Sequence, residues 1–133
     1  DSSQHWIYAK PGHSREERAE VWLSIRDKFG SEMDWTGHTN FRELSWQQQG
    51  HLFGVPFYYI EYGIAQLGSL QLWKTQMSDP QKALDDYANA MTLGNTRTLP
   101  ELFSAADLEL GFNEVHFMSL MGTVETALSE LPA

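Results

Sequence analysis

The sequence predicts an all-α protein built from several helices. Apolar residues recur at three- and four-residue spacing in most segments, which is the pattern of helices that bury one side. Helix-capping residues stand directly before these segments, and no alternating apolar run is long enough for a convincing strand. We therefore expect roughly six helices joined by short capped turns.

The first helices are marked by clear stop and start signals. An aromatic stretch at residues 4–9 ends before Pro11-Gly12, a pair that helices rarely cross. Ser14 and Glu17 form a capping box, so a helix is expected from Arg15 to Phe29, with Gly30 ending it. A third helix is expected over residues 41–49.

The longest helix is predicted over residues 56–77, because Pro56 suits a first helical turn. Apolar residues lie on nearly every side of this segment, which predicts a helix that is buried all round. On such a helix Tyr58 and Tyr62 would share one face, while Tyr59 would point about 100° away.

Three further helices follow from local capping residues. Asp79 is expected to cap a helix that has Pro80 at its first position and ends before Gly94. Thr98 opens a short helix, and Asn113 caps the last one.

Composition limits the classes of function. The chain has 133 residues and 15.2 kDa, which fits a single helical domain over residues 1–133. Its formal net charge is -9, with 18 acidic and 9 basic residues, and this balance argues against a nucleic-acid partner. No apolar run reaches membrane-spanning length, so no membrane partner is expected. The absence of cysteine excludes disulfides and thiol nucleophiles and is compatible with a cytoplasmic location.

The most informative stretch lies at residues 49–66. Within this stretch His51 lies between Gly50 and Gly54. Three tyrosines follow, Tyr58, Tyr59 and Tyr62, and this density of polar aromatic groups is unusual. The two glycines predict a loop that either adopts unusual backbone angles, moves, or lies beside a ligand. The residues alone leave a second interpretation open, in which the tyrosines only pack and hydrogen-bond in a core.

No metal site is predicted within the chain. A zinc peptidase needs two histidines four residues apart on one helix, a third ligand and a glutamate as general base. The five histidines lack that spacing; they are His5, His13, His38, His51 and His116.

Residues 51–66, together with residues 4–8 and 80–93, resemble the C-terminal part of oligoendopeptidase F. That family is grouped with thimet oligopeptidase and neurolysin among the zinc oligopeptidases. The resemblance covers essentially the whole chain and is most specific over residues 45–71. It implies the C-terminal part of a larger helical zinc-peptidase catalytic domain, which cleaves internal bonds of oligopeptides.

In the family a His-Glu-x-x-His helix and a later glutamate bind the zinc, and this chain contains no such motif. The resemblance therefore predicts a C-terminal fragment whose zinc ligands lie elsewhere and which is inactive alone. Its expected partners are an oligopeptide substrate and the missing N-terminal part of the same enzyme.

The resemblance also implies the site residues. In the family a histidine and tyrosines, from a glycine-containing loop and the next helix, contact substrate and donate hydrogen bonds to the oxyanion of the tetrahedral intermediate. The matching catalytic residues are His51, Tyr58 and Tyr62, and the matching substrate-binding residues are His51, Gly54 and Tyr59. Because the thimet branch has a longer loop and a different tyrosine interval, Tyr59 competes for the role of oxyanion donor.

A second function class remains open at this point. The chain could be a non-catalytic helical interaction domain that is derived from such a peptidase and docks through exposed apolar surface. A His-Glu-x-x-His motif upstream of Asp1 in the gene would decide for the enzyme.

Overall fold

A computed structural model describes residues 1–132 and confirms the all-α prediction. Within these residues there are eight α-helices, one 3-10 helix and no strand. The α-helices are α1 (Ser2–Ala9), α2 (Arg15–Phe29), α3 (Thr39–Leu44), α4 (His51–Gly54), α5 (Ile60–Ser78), α6 (Pro80–Leu93), α7 (Leu99–Ala105) and α8 (Glu114–Ser129). The 3-10 helix spans Ser45–Gln48.

The chain divides into two compact units. The first unit is Asp1–Glu61 and contains α1 to α4. The second unit begins at Tyr62 and contains most of α5 together with α6, α7 and α8. The expectation of a single domain over residues 1–133 stays a prediction.

The start of α2 is fixed by the predicted capping box. The Oγ of Ser14 accepts a hydrogen bond from the backbone N–H of Glu17 at 3.1 Å, and the Glu17 carboxylate accepts from the Ser14 N–H at 2.7 Å. Both contacts satisfy backbone donors that a helix start leaves without partners. The predicted bounds of α2 are therefore confirmed, and Gly30 follows its last residue.

The helix expected over residues 41–49 is wrong in its bounds and in its type. The segment is α3, which has His38 at its N-cap, followed directly by the 3-10 helix. The carbonyl of Arg42 accepts from the Trp22 indole at 3.1 Å and from the Ser45 hydroxyl at 2.8 Å. Because this carbonyl would accept the next α-helical hydrogen bond, these two donors favour the tighter turn.

The longest helix also begins later than the sequence predicts. α5 starts at Ile60 rather than at Pro56, because Phe57 has a left-handed φ of 63° that a helix cannot accommodate. The prediction that this helix is buried on all sides is also wrong. Gly68 is its only buried residue in the described chain, since those residues supply too few partners to cover every apolar side.

Helix starts in the second unit follow the predicted caps. The Asp79 carboxylate accepts from the Lys82 N–H at 3.0 Å, and the Asn113 side chain accepts from the His116 N–H at 2.8 Å. α7 begins with a capping box that involves Thr98. These short-range contacts confirm the starts of α6, α7 and α8.

The second unit has few buried residues. Ala83, Ala106 and Leu120 are its buried hydrophobic residues in the described chain. The absence of a side chain at Gly68 on α5 lets the Phe103 ring of α7 approach closely, since an added Cβ would lie 3.2 Å from its Cζ. The core of this unit is therefore narrow, and much apolar surface of its helices stays exposed.

No helix in the described range 1–132 combines the length and apolar character that crossing a membrane requires.

Candidate active site

His51 lies on a short helix rather than in the loop that the sequence predicts. It is the first residue of α4, and Gly50 caps that helix with right-handed angles, φ -51° and ψ -34°. Gly54 is the last residue of α4, and a Cβ built on it would meet no other atom within 4 Å. Neither glycine therefore serves an unusual backbone conformation, and the surface beside Gly54 is open.

Two of the predicted tyrosines lie against His51. The Tyr58 ring is stacked on the imidazole, with centroids 5.4 Å apart and an interplanar angle of 5°. The Tyr59 ring contacts the imidazole at 5.0 Å and 57°. The structure thus brings His51, Tyr58 and Tyr59 together as one aromatic cluster, which we call the His51 cluster.

The hydroxyl of Tyr59 has a partner within the first unit. It donates a hydrogen bond of 2.6 Å to the side-chain Oε1 of Gln49. A phenol has only one proton to donate, so this contact must break before Tyr59 can donate to a substrate. The Tyr59 phenol is therefore engaged by Gln49 while its ring contacts the imidazole of His51.

The turn that carries Tyr58 and Tyr59 is held by Gln4. This side chain is 2% exposed, and its Oε1 accepts a hydrogen bond of 3.0 Å from the backbone N–H of Phe57. The left-handed φ of Phe57 is costly for a bulky residue, so surrounding contacts must enforce it. Gln4 supplies one such contact from α1.

Aromatic residues of α1 add to this support. The rings of His5 and Tyr8 lie 4.9 Å and 5.1 Å from the Phe57 ring. Together with Gln4 they place Phe57 against one side of α1, and Tyr58 follows in the chain. Sequence reasoning missed Gln4, Gln49 and Phe57 as supporting residues.

Tyr62 lies in the third position of α5, and its side chain is 52% exposed. The prediction that Tyr58 and Tyr62 share one helical face is wrong, because Tyr58 lies in the turn before α5. Tyr58 is 42% exposed. Neither phenol is therefore sealed in an interior.

Within residues 1–132 no group of three or more His, Cys, Asp or Glu side chains could hold a metal ion. The described residues therefore do not form a complete zinc site. The His51 cluster can instead supply hydrogen-bond donors and aromatic surface.

Comparisons with known proteins place this geometry in context. No protein-family model and no curated protein sequence matches the chain. Two solved structures each match over 98% of its length, one described as an oligoendopeptidase F and the other a PZ peptidase A solved with an inhibitor. The sequence identities are 32% and 30%, and the TM-scores are 0.83 and 0.90, respectively.

The chain spans 23% of the length of each of these structures. Identity at this level over 98% of the chain, together with the close agreement of the backbones, confirms the predicted resemblance to oligoendopeptidase F.

Proposed function

We propose that this helical chain, which is related to these two peptidases, forms the substrate-binding and transition-state-stabilising C-terminal part of a zinc metalloendopeptidase. The intact enzyme would hydrolyse internal bonds of oligopeptides. Two facts support the proposal: each related structure matches the chain over 98% of its length, and the chain stacks the half-exposed Tyr58 on the imidazole of His51.

The proposal assigns zinc to a part of the enzyme outside this chain. A metal of this kind activates water and polarises the scissile carbonyl in peptidases. This chain would contribute the opposite wall of the cleft, and we expect it to be inactive without the part that holds the metal.

The observation that carries the proposal is the stacking of Tyr58 on His51 at the end of a constrained turn. Stacking restricts the phenol, so its O–H can be directed at one position without a further loss of side-chain entropy. A phenol is a hydrogen-bond donor near neutral pH, and a donor fixed in this way stabilises the negative charge that develops on the carbonyl oxygen of the substrate.

The other site residues would bind the peptide. The open surface beside Gly54 leaves room for a substrate backbone to approach. Tyr59, through its hydrogen bond to Gln49, would support the imidazole of His51. Tyr62 is the second candidate for the oxyanion donor, because its ring is accessible.

The coding sequence upstream of Asp1 tests this proposal without any assay. A His-Glu-x-x-His segment in that sequence, predicted to lie on a helix, is the expected result. If the upstream sequence contains no pair of histidines at this spacing, the chain does not belong to a working zinc peptidase.

One observation favours a second function, a non-catalytic interaction domain. α8 carries strongly exposed apolar side chains, with Val115 81% exposed and Met118 62% exposed. Such a surface is typical of a docking face. The interaction domain is therefore what we propose if the upstream metal motif is absent. For either function a cytoplasmic location stays a prediction.

A further inference from the structure

The first unit contains a cavity next to the His51 cluster, and the lining of this cavity combines apolar side chains with one guanidinium group. Its volume is about 290 Å³, and its lining includes Gln4, His13, Arg18, Trp46, Leu52 and Phe53. Leu52 and Phe53 directly follow His51 on α4. Ligand pockets in proteins measure about 300 to 1,000 Å³, so this volume suits a single amino-acid residue better than a longer segment.

The charge in this cavity is positive. Arg18 contributes its guanidinium group to the lining, and none of the lining residues carries a carboxylate. Within the described chain Arg18 forms no ion pair with an acidic side chain. A partly buried guanidinium without a counter-ion attracts an anion, and carboxylates match its planar fork of donors.

Arg18 is also held in a fixed position. Its Nε donates a hydrogen bond of 2.9 Å to the Nε2 of His13, so His13 carries its proton on Nδ1. The guanidinium carbon lies 5.2 Å from the centre of the Trp46 ring, a cation–π contact. These two contacts engage the Nε and one face of Arg18, so the terminal nitrogens remain for a ligand.

A second donor lines the same cavity. The Oε1 of Gln4 faces the N–H of Phe57, so its amide nitrogen points away from that turn. This nitrogen is buried and has no hydrogen-bond partner in the described chain. Buried polar groups without partners are uncommon and costly, and a ligand oxygen in the cavity would supply the missing acceptor.

We propose that this cavity binds the C-terminal residue of an oligopeptide, with an apolar side chain against Trp46 and Phe53 and the carboxylate on Arg18. The apolar wall and the single fixed cation match the two parts of such a residue. The inference rests on the proposed peptide-binding function and adds a specificity to it, namely a preference for peptides with a free and apolar C-terminal end.

Binding of peptides to the 133-residue chain tests the inference. The probes are N-acetyl-Gly-Gly-Phe with a free carboxylate and the same peptide as a C-terminal amide, titrated by calorimetry or by NMR shifts of Leu52 and Phe53. We expect the free acid to bind about tenfold more tightly than the amide, since a charge-assisted hydrogen bond is lost in the amide. Equal affinities, or no binding of either peptide, would overturn the proposal.

Two variants separate the role of the charge from other effects. Arg18→Gln should lower the affinity for the acid to that for the amide, whereas Arg15→Gln should leave the difference intact because Arg15 is exposed on the same helix and does not line the cavity. A preference for the acid that survives in folded Arg18→Gln protein contradicts the proposal. If Arg18→Gln does not fold, the acid-to-amide ratio of the unmodified chain still decides.

A third probe tests whether the cavity recognises a peptide or any apolar carboxylic acid. 3-Phenylpropionate carries the same ring and carboxylate without a peptide backbone, so it should bind more weakly than the peptide acid. Equal binding would show a general site for apolar acids and would contradict the peptide assignment. All of these measurements are binding equilibria of this chain, whereas the proposed function is tested by the coding sequence upstream of Asp1 and by turnover, so failure of one proposal can be told apart from failure of the other.

Discussion

The side-chain oxygen of Gln4 accepts a hydrogen bond of 3.0 Å from the backbone N–H of Phe57, which lies 53 residues further along the chain. This contact links α1 to the turn that carries Tyr58 and Tyr59. Because Gln4 is almost completely buried, the contact is shielded from competition with water. The position of the tyrosines therefore depends on a residue far away in sequence.

Replacing Gln4 with leucine tests this dependence. Gln4→Leu keeps the approximate size of the side chain but leaves the Phe57 N–H without its acceptor. We expect the free energy of unfolding to fall by about 1 to 3 kcal/mol, as is typical when a buried donor loses its partner. Urea-induced unfolding measures the change. Gln47→Leu is the control, since Gln47 is exposed, and a loss of equal size in both variants would show that Gln4 has no special role.

Two glycines of α5 should respond in opposite ways to alanine. At Gly68 a new Cβ would lie 3.2 Å from the Phe103 ring, and at Gly63 it would meet no other atom within 4 Å. Gly68→Ala should therefore destabilise the protein by about 1 kcal/mol or more, as overpacking does. Gly63→Ala should stabilise it by about 0.5 to 1 kcal/mol through helix propensity. Thermal unfolding of both variants measures the difference, and changes of the same sign and size would contradict the packing of α5 on α7.

The ion pair of Lys82 with Asp107 predicts a dependence of stability on pH. The ammonium of Lys82 lies 2.7 Å from the Asp107 carboxylate, and this hydrogen bond lowers the pKa of Asp107 below its ordinary value of 3.8. A lowered pKa in the folded state means that the stabilising contribution is present above the unfolded pKa. It is lost as the pH falls through the lower, folded pKa.

Asp107→Asn removes this contribution, and Asn tolerates the left-handed φ of 53° at this position. The variant should be less stable than the unmodified protein near neutral pH, and the two should converge at strongly acidic pH. The difference should be small and should shrink in high salt, because the pair is exposed to solvent. Denaturant unfolding as a function of pH measures it. The control is Glu125→Gln, because Glu125 is an exposed carboxylate of the same unit. A pH profile that is unchanged by Asp107→Asn would contradict a stabilising ion pair between Lys82 and Asp107.

The starts of most helices could be predicted from the sequence because capping is a local interaction. Ser14, Asp79 and Asn113 each accept a hydrogen bond from a backbone N–H three residues later, so the whole signal lies within one turn. The start of α5 could not be predicted in this way. It depends on the left-handed Phe57, whose conformation is supported by Gln4, His5 and Tyr8 of α1.

In the candidate site, too, local features could be predicted from the sequence and long-range contacts could not. Residue types and the family resemblance identified His51 and the tyrosines, but the arrangement of their rings depends on contacts that no local pattern specifies. The prediction that Tyr58 and Tyr62 share one helical face was wrong because it took the helix to begin at Pro56, whereas α5 begins at Ile60. The role of Gln49 as the acceptor for Tyr59 also had no signal, since three consecutive glutamines offer no spacing to interpret.

The central claim is that a phenol of this chain stabilises the transition state of peptide hydrolysis. It is tested most directly by the turnover of the protein expressed from the complete coding sequence, in which Tyr58→Phe and Tyr62→Phe are compared with Tyr87→Phe. Tyr87 lies on α6, outside the proposed site, and provides a matched control. We predict that one of the first two variants lowers kcat by about 10²- to 10³-fold with little change in KM, while Tyr87→Phe has no effect. Unchanged kcat in both Tyr58→Phe and Tyr62→Phe would contradict the account.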